Sequence, residues 1–317
     1  MKRTPLGTTG FEIAPIVFGG NVFGWTLDEA ESFRILDAFI DHGFDAIDTA
    51  DVYSKWAEGN SGGESETVLG RWFEARPGMR DKVKLFTKVG SDMGGPGEKG
   101  LGAEWISKAI DRSLERLKTD HVDLYFSHWP DDSVSHAETL AAYDKLLKAG
   151  KVRAIGASNY DADLLTAALE TADKEGLPRY QVIQPEYNLY DRDGFDGPLR
   201  DLCLRENIGV VTYFSLAAGF LSGKYRSKAD LEGRKRGGMV EKYLTDRGMA
   251  ILDVLEDVAS QKGAKPAEVA TAWLINREGV SAPIASATSL SQVESFAKAV
   301  EMSLTDEEMR RLTDAGA

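Results

Sequence analysis

Four polar residues stand at or just past the ends of short apolar runs: Asp48 and Tyr53 in GFDAIDTADVYS, Lys88 after KLFT, and His128 after DLYFS. A carboxylate, a phenol, an amine and an imidazole delivered from three successive strand ends would converge on one pocket. Their joint chemistry is proton delivery to a carbonyl. A carbonyl that accepts hydride develops negative charge on oxygen and must take up a proton. Tyrosine is a weak acid, with a reference pKa of about 10. The Lys88 ammonium is expected to lower that value by favouring the tyrosinate. Asp48 is expected to hold Lys88 charged and oriented, and His128 to donate a hydrogen bond to the same oxygen. In the reverse direction Tyr53 takes the alcohol proton. Each residue alone has a plainer explanation: an aspartate that caps a loop, a packed tyrosine with a wet hydroxyl, a satisfied histidine. A lysine directly after a buried strand is less ordinary, because it needs a carboxylate partner.

Convergence of this kind needs strands that all end at one place. The runs IVFG, FDAID, VKLFT, VDLYF, VRAIG, YQVIQ, IGVVTY and SAPIA are short, apolar and separated by helix-like stretches. That alternation predicts a parallel sheet covered by helices. Eight such units predict a (β/α)8 TIM barrel forming a single domain over residues 1–317. The competing doubly wound fold should carry a glycine fingerprint after its first strand, and FGGNVFG does not fit it. At the N-terminus RTPL and FEI flank the turn GTTG and predict a β-hairpin, which would cap the barrel bottom. LDEAESFRILDAFIDHG repeats apolar residues at helical spacing, with acidic residues first and Gly43 last. Three long loops follow strands two, three and seven: YSKWAEGNSGG, GSDMGGPGEKG and the stretch from Ser215 to Thr245. All three belong to the face where barrel enzymes work. The last holds GKYRSKADLEGRKRGG, a concentrated basic stretch that reads as a mobile solvated loop or as a flap over a phosphorylated ligand.

A net charge of −13 argues against a nucleic-acid surface or an acidic membrane surface. The lone Cys203 excludes an intramolecular disulfide and fits a reducing compartment. No apolar h-region opens the chain and no run is long enough to cross a bilayer, so a cytoplasmic protein is expected.

GFDAIDTADVYS, LFTKVG, YFSHWPD, GKVRAIGASNY and QPEYNLYDR resemble, in order and spacing, the signatures of the aldo-keto reductase superfamily. The resemblance runs from the hairpin to the last strand. The long loops are similar to those of the bacterial branch and of potassium channel β-subunits. The resemblance implies a nicotinamide cofactor extended across the barrel mouth and metal-free reduction of a small carbonyl substrate, with Tyr53 as proton donor. It implies that Ser158, Asn159 and Gln184 hold the carboxamide, a group that needs both donors and acceptors. It implies that Tyr213 stacks on the ring, that Gly20 and Asn21 contact the cofactor, and that Ser215, Leu216, Gly219, Leu221, Gly223 and Lys224 follow the pyrophosphate. Where the family usually reads serine-proline-leucine after that aromatic residue, this chain reads Phe214, Ser215, Leu216.

The stretch IASATSLSQVESF matches the region that holds the adenosine 2′-phosphate. It offers Ser286, Thr288 and Gln292 but no lysine or arginine, with Ser291 expected to open the helix. Hydroxyls discriminate less than a guanidinium. NADP(H) is expected from the resemblance, with NAD(H) as the alternative and Arg234, Lys235 and Arg236 as a further source of charge. Phe23, Trp25, Trp56 and Trp129 are expected to line the substrate pocket. Such a mouth suits aromatic or apolar aldehydes and the carbon face of sugars. A cofactor-binding regulatory subunit similar to potassium channel β-subunits is the competing reading. A lyase that uses Lys88 as a Schiff base is a third.

Overall fold

A computed structural model of the chain describes residues 1–316. β1 (Thr4–Pro5) and β2 (Glu12–Ile13) pair antiparallel, with Thr4 opposite Ile13. Gly7 and Gly10 between them have φ of 55° and 76°, a left-handed conformation that a Cβ disfavours. Eight strands follow: β3 (Val17–Gly19), β4 (Ala46–Asp48), β5 (Lys84–Val89), β6 (Val122–Ser127), β7 (Val152–Ser158), β8 (Val182–Gln184), β9 (Gly209–Thr212) and β10 (Ala282–Ala285). Each pairs parallel with its neighbour in sequence, and β10 pairs with both β9 and β3. The sheet therefore closes into the (β/α)8 barrel expected from the alternation.

The covering helices are α1 (Glu29–Asp41), α2 (Glu64–Ala75), α3 (Ala103–Leu117), α4 (His136–Lys148), α5 (Ala162–Glu175) and α6 (Pro198–Glu206). The later ones are α7 (Gly237–Val240), α8 (Asp246–Lys262), α9 (Pro266–Ile275), α10 (Leu290–Glu301) and α11 (Asp306–Asp314). Short polar residues start them: the carboxylates of Asp28 and Asp161 each accept a bond from the backbone three residues on, at 2.8 Å. Such caps satisfy amides that the helix itself leaves free. Among the described residues no helix is long and apolar enough to cross a membrane.

The inside of the barrel explains where the polar residues lie. Val17, Ala46, Phe86, Leu124, Phe126, Ala154, Val182, Val211, Ala282 and Ile284 form one buried cluster. Leu6 and Ile13 of the hairpin belong to it and close the end where the strands begin. Ile47, Leu85, Val89, Tyr125, Ile155, Ile183 and Val210 belong instead to the layer beneath the helices. Side chains alternate along a strand. The next inward position after Ala46 is therefore Asp48, after Phe86 it is Lys88, and after Phe126 it is His128. The same step leads from Val182 to Gln184, from Val211 to Tyr213 and from Ile284 to Ser286. One layer of polar side chains thus lies on top of an apolar plug.

One strand end agrees with the sequence expectation and one helix start differs from it. The first strand stops at Gly19, and Gly20–Val22 turns as a short 3-10 helix. A Cβ on Gly20 would come within 2.9 Å of the Asp48 carbonyl oxygen, so the chain passes close to β4 only as glycine. Ser289, not Ser291, caps α10, because its backbone is still extended (φ −150°).

Within the plug, a Cβ on Gly156 would sit 2.5 Å from the Phe126 ring and 2.8 Å from the Val182 carbonyl oxygen. Gly156→Ala is expected to destabilise the fold by about 1–3 kcal/mol through overpacking. Urea unfolding measures it, and an unchanged midpoint would show that the plug is looser than described.

Candidate active site

Lys88 is 0 % exposed and Asp48 is 1 % exposed. The Lys88 ammonium donates to Asp48 Oδ2 at 2.6 Å, to the Thr49 carbonyl at 2.8 Å and to the Tyr53 hydroxyl at 2.8 Å. All its N–H donors thus have acceptors. The other Asp48 oxygen accepts from Gln184 Nε2 at 2.9 Å, so the carboxylate is held from two sides. Burial lowers the Lys88 pKa, and the Asp48 carboxylate opposes that shift.

Tyr53 departs from the electrostatic expectation. Its pKa lies well above the ordinary phenol value, through burial first and the Asp48 carboxylate second. The sequence expectation of a phenol made more acidic by Lys88 is corrected: lost hydration and the nearby Asp48 anion raise its pKa instead. Because Lys88 donates into the hydroxyl oxygen, the phenol hydrogen is left with only a long contact to Asp48 Oδ2 at 3.4 Å.

His128 sits past the end of β6, its amide bonded to the Val89 carbonyl at 2.8 Å. Its ring packs edge-on to Tyr53 (centroids 5.9 Å apart) and stacks on Trp129 (5.9 Å, 15°). Burial, then the Lys88 cation, hold its pKa well below the ordinary histidine range. The imidazole is neutral at neutral pH and carries one ring proton. Its Nδ1 lies 3.1 Å from the Ser91 hydroxyl.

The expected cofactor residues ring the same mouth. Asn159, at φ 62°, donates to the His128 carbonyl at 2.9 Å and accepts from the Tyr213 hydroxyl at 2.7 Å. Ser158 donates to the Gln184 carbonyl at 2.8 Å. Since Gln184 Nε2 is engaged by Asp48, its side-chain oxygen is an acceptor without a protein partner among the described residues. That donor and acceptor set fits a carboxamide, and Tyr213 keeps part of its ring exposed. Beyond it Phe214, Ala217 and Ala218 all have positive φ, near 50°. Ser215 donates to the Thr212 carbonyl at 3.1 Å, and Gly219 and Gly223 turn at φ 100° and 80°. Leu221 is fully buried and Leu216 packs against the core. Lys224 is exposed, its ammonium 4.9 Å from the Tyr225 ring centroid.

At the far side Ser286 donates to the Gly19 carbonyl (2.7 Å) and lies 2.8 Å from Asn21 Oδ1. The Thr288 amide donates to Gln292 Oε1 at 2.6 Å. Gly20 is buried at the foot of this wall. Arg236 lies 5.4 Å from the Trp25 ring centroid and Lys235 donates to the Trp25 carbonyl at 3.3 Å. The flap thereby touches the loop after β3.

Of the four expected aromatic residues, Trp56 and Trp129 are each 50 % exposed, and Trp25 is partly buried edge-on to Trp56. Phe23 is corrected: it is 0 % exposed, stacked on Phe18 at 5.3 Å, and belongs to the core beneath the helices. Its carbonyl, which accepts from Ser54 at 2.6 Å, anchors the loop that carries Tyr53. A cleft of about 830 Å³ adjoins the site and shares Ser91 and Trp129 with it.

Two residues near the site were not singled out from sequence. Ser91 lies past the strand end, where alternation no longer signals direction. Asp51, in the same DTADVY stretch, is buried with no partner for either oxygen among the described residues. Burial, then the neighbouring Glu66, push its pKa well above the carboxylate range. Its position in the motif was legible, but its surroundings were not.

The sequence profile described as Aldo/keto reductase family matches residues 15–317. An oxidoreductase of Bacillus subtilis (strain 168), YrpG, is 34% identical over 99% of this chain and 95% of its own length. A probable voltage-gated potassium channel subunit beta of Arabidopsis thaliana is 31% identical, over 95% of this chain and 92% of that protein. Norsolorinic acid reductase B of Aspergillus parasiticus is 30% identical, over 94% of this chain and 78% of its own length.

Removing one member of the buried pair strands the other. Lys88→Met is expected to destabilise by about 3–5 kcal/mol, and the double variant Asp48→Leu/Lys88→Met to recover part of that loss. Denaturant unfolding of the three proteins checks both. His128 gives a second outcome. Its depressed folded pKa means that its contribution is present above the unfolded value of about 6.5 and is lost as pH falls toward the folded value. The stability difference between the chain and His128→Gln should therefore shrink on acidification below pH 6.5 or so; a constant difference would contradict a neutral imidazole.

Proposed function

Since the chain belongs to the aldo/keto reductase family, we propose that it is an NAD(P)H-dependent oxidoreductase that reduces aldehydes or ketones, with Tyr53 as proton donor. The observation that supports this most is the 2.8 Å contact between the Tyr53 hydroxyl and the buried Lys88 ammonium. When bound, the reduced nicotinamide supplies hydride. Ser158, Asn159 and Gln184 would hold its carboxamide and Tyr213 its ring face. The loop around Ser215, Leu216, Gly219, Leu221, Gly223 and Lys224 would follow the pyrophosphate. Gly20, Asn21, Ser286, Thr288 and Gln292 would meet the adenosine end.

The resting state suits a donor. Its raised pKa keeps Tyr53 protonated at neutral pH, so the proton is in place when negative charge grows on the substrate oxygen. Tyr53 then gives that proton to the alkoxide, a far stronger base than phenolate. The phenolate left behind faces the Lys88 ammonium, and a hydrogen bond to a charged acceptor is stronger than one to the neutral phenol. Lys88 thus acts on the product side of the transfer. His128, neutral, would donate from Nε2 to the same oxygen and orient it. Trp56 and Trp129, half exposed, would seat an apolar or aromatic group or the carbon face of a sugar. A regulatory role like that named for the Arabidopsis relative is the second reading; it predicts bound cofactor without turnover of any reactive aldehyde.

Tyr53→Phe is expected to lower kcat by about 10²-fold or more while leaving cofactor affinity nearly unchanged. Steady-state rates with a reactive aldehyde, alongside fluorescence titration with NADPH, check it; activity within a few fold would remove Tyr53 as donor. The same titration with NADH addresses the adenosine end. Because the stretch from Ser286 to Gln292 contains no lysine or arginine, the two affinities should lie within about tenfold of each other. A much larger ratio would require a charge from elsewhere, such as the flap.

A further inference from the structure

We propose that Ser91 is a positioning residue: its hydroxyl donates to His128 Nδ1 and thereby fixes the proton of that ring on Nε2. The inference rests on the reductase reading for its kinetic consequence but not for its structural one. The contact is 3.1 Å, and either atom can be the donor on distance alone. The surrounding bonds favour the serine as donor. The Ser91 hydroxyl has no other bond among the described residues, so its hydrogen has Nδ1 as its only protein acceptor. If Nδ1 carried the proton instead, the serine hydrogen would turn to the solvent of the cleft that Ser91 lines, and the protein would lose that bond as a constraint on the ring. His128 Nε2 has no protein partner among the described residues, which leaves that edge of the ring for a ligand.

The fold builds this contact. Val89 is paired with Ser127 across β5 and β6, and the His128 amide is bonded to the Val89 carbonyl. The two chains therefore leave the barrel side by side. Gly90 then turns at φ 121°, a conformation a Cβ would strain, and brings Ser91 back over the ring. Trp129 against one face and Tyr53 on an edge hold the imidazole in one plane. Because burial and Lys88 keep the imidazole neutral, one tautomer excludes the other. With the proton on Nε2 the ring donates to a substrate oxygen. With the proton on Nδ1 it would turn a lone pair toward that oxygen as negative charge grows there.

The test is nitrogen NMR of the protein carrying ¹⁵N-labelled histidine. The chain has 4 histidines, and His128→Gln identifies the signals by their loss. The expected result is an unprotonated Nδ1 and a protonated Nε2 in the native chain. Ser91→Ala should give a mixture or the opposite tautomer, and Ser91→Thr should keep the native one. In steady-state assays Ser91→Ala should lower kcat by about tenfold with KM little changed, and Ser91→Thr should restore it. A native chain that reads Nδ1–H overturns the proposal, as does a Ser91→Ala variant whose tautomer is unaltered. An altered tautomer with kcat unchanged overturns its catalytic half. If the native chain turns over no carbonyl at all, the reductase reading fails while the tautomer measurement still decides the role of Ser91.

Discussion

Lys88 holds an ammonium group where no water reaches it, and the rest of the site is arranged around that fact. A buried cation is tolerated only when every donor is met and an opposite charge lies close by. Asp48, Thr49 and Tyr53 meet those needs, each from β4 or the loop just past it. Gln184, from the opposite side of the barrel, steadies the carboxylate. The ion pair thus ties β4, β5 and β8 together at one level, directly above the apolar plug. Tyr53 points inward because its oxygen is one of the acceptors the ammonium requires.

Burial also decides the protonation states. Tyr53 and His128 are both driven toward their neutral forms, one upward and the other downward in pKa. A neutral phenol and a neutral imidazole beside one ammonium form a proton-loaded, electrically simple mouth. The expectation of an acidified tyrosine considered the cation and omitted the dehydration that the cation's own burial entails. In a barrel mouth the same packing that brings Lys88 close to Tyr53 removes the water that would stabilise phenolate. The favourable effect of Lys88 is therefore felt when negative charge arrives on the phenol, as it would in the proposed reaction.

The loops past the strands divide between anchoring and access. Phe23 serves the core and lends its carbonyl to Ser54, while Trp56 and Trp129 stay open to solvent. The basic flap lies against Trp25 through Lys235 and Arg236, so its position is coupled to the wall beside Trp56. An acidic chain thus keeps its concentrated positive charge near the rim of the mouth.

Much of this was legible in the residues themselves. The ends of short apolar runs point to Asp48, Lys88 and His128, and the family resemblance points to Gln184 and Tyr213; that all five are inward positions one step above the plug follows from the alternation seen in the folded strands. Eight such runs alternating with helices predict the barrel, and the sheet closes as expected. Past each strand end that regularity stops. The burial of Phe23, the approach of Ser91 to the imidazole and the orphaned carboxyl of Asp51 depend on how loops from different strands meet. So do the pKa directions, because they follow from water excluded by residues distant in sequence. Residue types at the strand ends point to the polar groups that meet at the mouth, because parallel strands of a barrel all end on one face. Only the packed chain decided their charges and their exposure, because hydration and electric field are properties of the assembled surroundings.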